Sequence, residues 1–255
     1  MKKKLFFQIV LLALLSTALF SCSDDNNEPE NGGESSSTVK TRAEAQALAN
    51  AVYGPLQTLS SSYTFLLESA TETTISFEEV DDSKDGPQVS IFETTPSNWY
   101  PIKVFNRLYK SIGAANLAIE EISAAAVSTN LTEADKNLFI ARAHFIRGYN
   151  YFQLVQLFGE VPLVLTSKST ERTRASIDDV YAQVIKDLTD AYPNLPDFDS
   201  NKSNPSQGAV NTILAKAYLT WGQKPITSAQ ISAISGTTDP TKPTVDNDKL
   251  QKAVE

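Results

Sequence analysis

The sequence contains one cysteine and one histidine in 255 residues, and these shortages narrow the chemistry that it can perform. The single cysteine, Cys22, has no partner for a disulfide within the chain. A catalytic triad that needs histidine would have to use His144, and no nucleophile motif accompanies it. The chain also lacks a Gly-x-Ser-x-Gly elbow, a phosphate-binding glycine loop and a His-Glu-x-x-His sequence. We therefore expect no enzyme activity, no catalytic residue, no metal site and no cofactor, and we interpret His144 as a packing residue.

Clusters of positive charge are missing after the first four residues, and the formal net charge is -8. Removal of residues 1–21 would take away three lysines and no acid, which changes the net charge from -8 to -11. Binding of nucleic acid depends on clustered Lys and Arg side chains that contact phosphate. We therefore expect no nucleic-acid partner.

A long apolar run occurs only at the N-terminus, where residues 5–20 follow three consecutive lysines. The short length of this run and the lack of a stop-transfer flank indicate a secretory signal peptide and not a membrane span. Leu19-Phe20-Ser21-Cys22 then has the form of a lipobox, in which a small residue precedes the cysteine that receives a lipid. We predict a lipoprotein signal peptide over 1–21 and lipidation of Cys22. An ordinary signal peptide with an incidental cysteine is the alternative.

The composition changes twice along the rest of the chain. Residues 22–40 are rich in Asp, Asn, Glu, Ser and Gly, which predicts a flexible tether. Residues 41–255 have apolar periodicity and repeated start signals, which predict a helical domain. The start signals are the capping patterns Thr41-x-x-Glu44, Thr132-x-x-Asp135 and Ser176-x-x-Asp179, and the pair Asn204-Pro205. The predicted helices are 41–59, 101–124, 132–158, 176–192 and 205–222, with a sixth that begins near 247.

Two of these helices share a short internal repeat. Ala141-Arg142-Ala143-His144-Phe145 is followed by Gly148, and Ala215-Lys216-Ala217-Tyr218-Leu219 is followed by Gly222. The second copy matches the first-helix pattern of a tetratricopeptide repeat, in which small residues let neighbouring helices approach. We pair 41–59 with 101–124, 132–158 with 176–192, and 205–222 with the helix from 247. The predicted fold is all-α, a tetratricopeptide-like helical solenoid with long loop insertions.

Residues 141–164 form the most distinctive block of the sequence. Its apolar residues recur at steps of three and four, which predicts a helix that is buried on more than one side and ends at Gly159. The block resembles a hallmark of the SusD/RagB family of nutrient-binding outer-membrane lipoproteins, A-R-x-x-R-A-x-x-Y-F-x-L-v-x-x-F-G-x-V-P-L. The residues that match are Arg142, Tyr151, Phe152, Leu154, Phe158, Gly159, Val161, Pro162 and Leu163. His144 departs from the pattern, and Arg147 and Gly148 only approximate it.

The resemblance implies a lipid-anchored protein of the outer membrane, exposed at the cell surface, that binds an oligosaccharide or, less often, a peptide. It also implies a SusC-like TonB-dependent transporter as partner. Members of the family continue into a large further region, so 41–255 is predicted to be a SusD-like N-terminal helical domain, incomplete at its C-terminus. A tetratricopeptide-like surface adaptor that binds protein partners is the alternative. A lipoprotein hydrolase is a third reading, which the missing motifs argue against.

The candidate binding residues are Asn98, Trp99 and Tyr100, at the end of the long first insertion. Aromatic faces can stack on sugar rings, and the Asn98 amide can bind hydroxyl groups. A hydrophobic staple at the helix start is the alternative. Tyr63 and Phe65 lie in the same insertion and carry no sharper signal. The resemblance implies that further ligand aromatics come from the region beyond this chain.

Two other patterns are interpreted as structural. Asp81-x-Ser83-x-Asp85-Gly86 resembles the start of a calcium loop, but the expected bidentate acid falls one place late, at Glu93. We interpret this stretch as a polar turn. Trp221 lies on a repeat helix and is expected in the core.

Lipidation of Cys22 can be tested by a Cys22→Ala variant. Because the thiol is the only attachment point, the variant should lose palmitate labelling and should no longer fractionate with membranes. A Ser21→Ala variant keeps a small residue before the cysteine and should be labelled normally. Membrane fractionation of Cys22→Ala at the level of the unchanged protein would contradict the lipid anchor.

Overall fold

Helices make up most of the structure, a computed structural model that describes residues 37–57, 59–71, 85–223 and 246–254. The predicted signal peptide, Cys22 and most of the tether over 22–40 lie outside the described residues. The helices are α1 Arg42–Ala51, α2 Gly54–Gln57, α3 Leu59–Ser69, α4 Asp85–Ser90, α5 Trp99–Ala124, α6 Glu133–Phe158, α7 Ile177–Ala191, α8 Gln207–Gly222 and α9 Asn247–Lys252. A 3-10 turn, Tyr192–Asn194, follows α7. Two short strands, β1 Val161–Pro162 and β2 Arg174–Ala175, pair antiparallel.

The helices pack as three successive pairs, as predicted. Helix α1 packs on α5, α6 packs on α7, and α8 packs on α9. Contacts of α5 with α6 and of α7 with α8 join the pairs into one array. The all-α, tetratricopeptide-like fold is thereby confirmed, with the two-residue strands as a small addition.

Helix ends follow the capping chemistry of the sequence. Thr41 and Thr132 each form a complete capping box with the acid three residues on, and Ser176 accepts a hydrogen bond from the Asp179 amide at 3.1 Å. Gly159 ends α6 with a φ of 67°, a conformation that favours glycine. The predicted boundaries of α6 and α7 therefore agree with the structure to within one residue.

Three predictions about the helices were wrong in detail. The helix expected over 41–59 is interrupted before α2, because Pro55 lacks an amide hydrogen and its ring clashes with the preceding turn. The first insertion contains α3 and α4, although a loop was expected there. Helix α8 starts after Ser206, which accepts a hydrogen bond from the Ala209 amide, whereas the Asn204 side chain binds Asp199 instead.

The glycines of the internal repeat lie where two helices of a pair come closest. A Cβ atom on Gly148 would lie 3.1 Å from Asp187 Cβ and 3.3 Å from the Val184 carbonyl oxygen in α7. A Cβ atom on Gly222 would lie 2.9 Å from a methyl carbon of Leu250 in α9. Both glycines thus allow a close helix approach that any side chain would hinder. This confirms the prediction that small residues of the repeat let neighbouring helices approach.

A buried ion cluster joins α6 to α7. Arg147 donates to both carboxylate oxygens of Asp187, with Nε at 2.9 Å and Nη2 at 2.6 Å. His144 Nδ1 lies 2.9 Å from the same carboxylate. The Nη1 group of Arg147 donates to Asn116 Oδ1 of α5 at 2.9 Å and to the Leu165 carbonyl at 3.3 Å. Since the Asp187 side chain has no solvent exposure, these bonds replace its lost hydration.

The segment after α6 folds back along α5 and α6 and is held by their polar side chains. Tyr151 Oη accepts from the Val164 amide at 2.7 Å and donates to the Val164 carbonyl at 3.0 Å. Tyr109 Oη donates to the Pro162 carbonyl at 2.7 Å, and Asn116 Nδ2 donates to the Val164 carbonyl at 2.8 Å. These bonds satisfy buried backbone groups that lie outside regular structure.

None of the helices in the described part of the chain has the length and apolar character that a membrane crossing requires.

An Asp187→Asn variant tests the ion cluster. Burial raises the pKa of Asp187, but hydrogen bonds from His144 and Arg147 outweigh it and hold the pKa below its usual value. The carboxylate therefore stabilises the fold at neutral pH, and this contribution is lost as the pH falls below about 4. The variant leaves the Arg147 charge buried without a counter-ion, so we expect a loss of about 3–5 kcal/mol in urea unfolding at pH 7.

The difference in stability between Asp187→Asn and the unchanged protein should shrink as the pH falls from 5 to 3. Asp178→Asn, which removes an acid from the first turn of the same helix, is the control and should cost less than 1 kcal/mol at pH 7. An Asp187→Asn variant as stable as the control would show that the cluster is not required.

Candidate functional site

Asn98 is a buried helix cap and not a free surface amide. Its Oδ1 accepts from the Tyr100 amide at 3.1 Å, and its Nδ2 donates to the Asp85 carbonyl at 2.9 Å and to Gln88 Oε1 at 3.2 Å. Its relative exposure is 0%. The side chain therefore uses both its acceptor and its donors to fix α4 against the start of α5. The role that this geometry supports is positioning, in place of the direct hydroxyl contact that the sequence suggested.

Trp99 is the outward-facing member of the predicted trio. About half of it is exposed, at 49%. Its backbone amide donates to Asp85 Oδ2 at 3.1 Å, and its ring meets the Tyr100 ring edge-on at a centroid distance of 5.0 Å. Lys103 Nζ lies 4.0 Å from the centroid of the indole ring, in a cation–π contact. Trp99 thus has its backbone amide bound by Asp85 and Lys103 over its ring, while about half of the residue stays exposed.

Tyr100 packs inward and joins the first insertion to α5. Its ring stacks on Phe65 of α3 at a centroid distance of 4.1 Å and an interplanar angle of 19°. A strict hydrophobic staple would need an apolar residue before the cap, where the chain has the exposed Ser97. Of the two interpretations, packing at the helix start therefore applies to Tyr100. Trp99 has the exposed aromatic surface that sugar stacking would need.

Phe92 is an exposed aromatic residue that the sequence analysis did not single out. It is 71% exposed and has a φ of 58°, in the left-handed region that usually belongs to glycine. Its amide donates to the Val89 carbonyl and the Glu93 amide donates to the Gln88 carbonyl, which is the hydrogen-bond pattern of a Schellman cap on α4. No sequence signal marks this position, because the pattern would be expected to carry glycine. We call the exposed rings of Phe92 and Trp99, with Tyr100 in contact with Trp99, the aromatic surface.

The other candidates of the sequence have structural roles in the described residues. Trp221 is half-buried against the core and stacks on Tyr181 at 5.6 Å, as expected for a packing residue. Of the calcium-like stretch, Asp85 and Gly86 are described and belong to α4, where Asp85 binds the Trp99 amide. The preceding residues of that stretch lie outside the described part of the chain.

In the described part of the chain, one group of side chains has ligand atoms close enough together to hold a cation. His144, Asp187 and Asp190 present such atoms within 4.8 Å of one another. However, Arg147 already binds both carboxylate oxygens of Asp187, and its positive charge would face any added cation. We therefore assign His144 to the buried ion cluster, which agrees with its expected packing role.

Comparison with known proteins gives one family model and two curated relatives for this chain. A family model described as "Starch-binding associating with outer membrane" matches residues 30–219. A SusD-like protein P2 from Formosa agariphila is 31% identical over 237 residues, which cover 88% of this chain and 45% of that protein. A SusD-like protein from Bacteroides ovatus is 28% identical over 137 residues, which cover 52% of this chain and 25% of the relative. The chain thus spans about half, or less, of the length of these curated relatives.

Solved structures show the same fold. A structure titled as a laminarin-binding SusD-like protein has a TM-score of 0.63 and 24% identity, over 77% of this chain and 42% of the other. A structure whose title mentions xylogluco-oligosaccharide has a TM-score of 0.62 and 20% identity, over 82% of this chain and 38% of the other. At this identity, the two likenesses concern the fold alone.

The sequence resemblance is confirmed, because the family match covers well over half of the chain and agrees with the relatives and with the fold. The chain belongs to the SusD/RagB family.

Proposed function

We propose that this chain binds oligosaccharides through the aromatic surface of its first insertion. The observation that carries the proposal is Trp99, which is half exposed and whose backbone amide donates to Asp85. A rigid aromatic ring can stack on the C–H face of a sugar without losing much conformational freedom on binding. The laminarin and xylogluco-oligosaccharide named in the titles of structural relatives support this class of ligand.

The protein context belongs to the same proposal. Cys22 would carry the lipid that anchors the chain in the outer membrane, with the tether over 22–40 placing the helical array at the cell surface. A SusC-like TonB-dependent transporter would take up the captured oligosaccharide. No covalent step is proposed, and the binding would rest on stacking, hydrogen bonds and the exclusion of water.

The alternative is a surface adaptor that binds a protein partner. The exposed apolar residues Ile91 and Ile102, which flank the aromatic surface, favour it because sugars gain less from aliphatic side chains than proteins do. Under this alternative, substitutions in the aromatic surface would leave oligosaccharide binding unchanged. The same variants therefore test both functions.

A Trp99→Ala variant should weaken oligosaccharide binding. One stacked ring contributes about 1 kcal/mol, so we expect a loss of about fivefold from an affinity that is itself weak, in the millimolar range. Affinity electrophoresis against a polysaccharide panel that includes laminarin and xyloglucan, followed by calorimetry on the best ligand, provides the measurement. The control is Phe198→Ala, which removes another exposed aromatic ring with a lysine above it, Lys202 at 3.8 Å. If the polysaccharide slows the migration of Trp99→Ala, Phe198→Ala and the unchanged protein equally, Trp99 has no role in oligosaccharide binding.

Two variants of Phe92 separate the effect of its strained backbone on stability from the effect of its ring on oligosaccharide binding. A Phe92→Gly variant should stabilise the fold by about 1 kcal/mol, because glycine adopts a positive φ without the steric cost of a Cβ atom. It should also weaken oligosaccharide binding, since the ring is lost. Phe92→Ala is the matched control, which loses the ring but keeps the strained backbone and should weaken binding without a gain in melting temperature. If both variants bind as the unchanged protein does, Phe92 is not part of the binding surface.

A further inference from the structure

A cavity of about 240 Å³ lies between α3, α5 and α6, away from the aromatic surface. Its apolar wall is formed by Leu56, Leu59 and Leu108. Leu108 lies about 13 Å further along the axis of α5 than Trp99, at a rise of about 1.5 Å per residue. The cavity and the aromatic surface are therefore separate places on the same helix.

The opposite wall of the cavity carries polar groups that are held in fixed positions. Gln153 is only 8% exposed, and its Oε1 accepts a hydrogen bond from Tyr63 Oη. Because the oxygen of the amide is taken in this way, the Nε2 group of this cavity-lining residue is left to donate to another acceptor. Neither Gln153 Nε2 nor Tyr149 Oη has a hydrogen-bond partner among the described residues. Neither atom is among the fully buried polar atoms without a partner, so both can be reached by a ligand hydroxyl group in the cavity.

The chemistry of the lining selects a class of ligand. Among the described residues that line the cavity, none carries a charge, so a charged ligand would lose its hydration there without a counter-ion from them. Burial raises the pKa of Tyr63 to about 12, with a smaller effect from Tyr149, so this phenol stays neutral at physiological pH. The ligand should be neutral, with an apolar face for the leucines and hydroxyl groups for the Gln153 amide and the Tyr149 hydroxyl.

The size of the cavity limits the ligand to one small ring. Pockets for drug-sized ligands have volumes of about 300–1,000 Å³, and this cavity is smaller. Ser60 and Thr64 are exposed at its rim and add two hydroxyl groups near the opening. A ring that enters there can leave the rest of a longer chain outside.

We propose that this cavity binds a single neutral sugar ring, with Gln153 Nε2 donating to a ring hydroxyl and Tyr149 Oη making a second hydrogen bond. The leucine wall packs against the C–H face of the same ring. The proposal rests on the proposed function for the class of ligand, but it assigns a second site with its own residues. In this arrangement, the cavity recognises a terminal or branching unit while the aromatic surface contacts the chain of the oligosaccharide.

The test uses the full chain titrated with D-glucose, D-galactose and D-xylose and followed by saturation-transfer NMR. At least one of these sugars should bind in the millimolar range. Tyr149→Phe, which removes one hydroxyl and keeps the ring, should weaken that binding about fivefold. Gln153→Leu should weaken it at least as much, and its melting curve shows whether loss of the Tyr63 bond has disturbed the fold. Trp99→Ala is the control and should leave monosaccharide binding unchanged.

The outcomes separate the two sites. Monosaccharide binding that survives Tyr149→Phe and Gln153→Leu but disappears in Trp99→Ala would overturn the cavity and leave the aromatic surface intact. Absence of binding by all three sugars at the highest soluble concentrations would also overturn the cavity site. Affinity electrophoresis on polysaccharide gels would still test oligosaccharide binding by the aromatic surface. Binding of cyclohexane-type apolar probes with no sugar binding would show instead that the cavity receives an apolar side chain, which contradicts the proposal.

Discussion

The close packing of α6 on α7 is the constraint on which the rest of the structure depends. Two consecutive residues of α6 produce it: Gly148 leaves room for the backbone of α7, and Arg147 supplies the charge that meets Asp187. Each requires the other, since a larger residue at 148 would hold Asp187 out of reach, and an unpaired Asp187 could not stay buried. The remaining donors of Arg147 then bind Asn116 and the Leu165 carbonyl, which brings α5 and the chain after α6 into the same cluster.

Hydrogen bonds also hold the parts of the block over 141–164 together. Helix α6, the Gly159 turn and the returning segment are linked by Tyr151, which binds both backbone groups of Val164. Because the returning segment also binds Tyr109 and Asn116, the position of α5 is set by the same bonds. The matched family pattern therefore contains a helix together with the strand-like segment that the helix holds. Tyr151, one of the matched polar residues, therefore has a structural role.

Helix α5 carries this rigidity to the places where binding is proposed. Its first residue is Trp99, and Asn98 ties that end to α4. Its middle, at Leu108, forms a wall of the cavity opposite Gln153 of α6. Binding sites need a fixed geometry. The aromatic surface and the cavity both obtain a fixed geometry from α5, which is packed along its length. The strained backbone of Phe92 fits the same view, because an exposed aromatic in a costly conformation persists only where the surrounding structure maintains it.

The sequence by itself determined the helices with strong local signals, the pairing of the helices and the family. Capping residues such as Thr132, the glycine at 159 and the repeated glycines act over a few residues, so their effects can be read without knowing the fold. Only the tertiary structure decided which polar residues have internal partners. Asn98 could be read as a free amide until its bonds to α4 were known, and Arg147 could not be assigned to Asp187, forty residues away, before α6 and α7 were packed together. The cavity arises from contacts between segments that are distant in sequence, and no local pattern encodes such contacts.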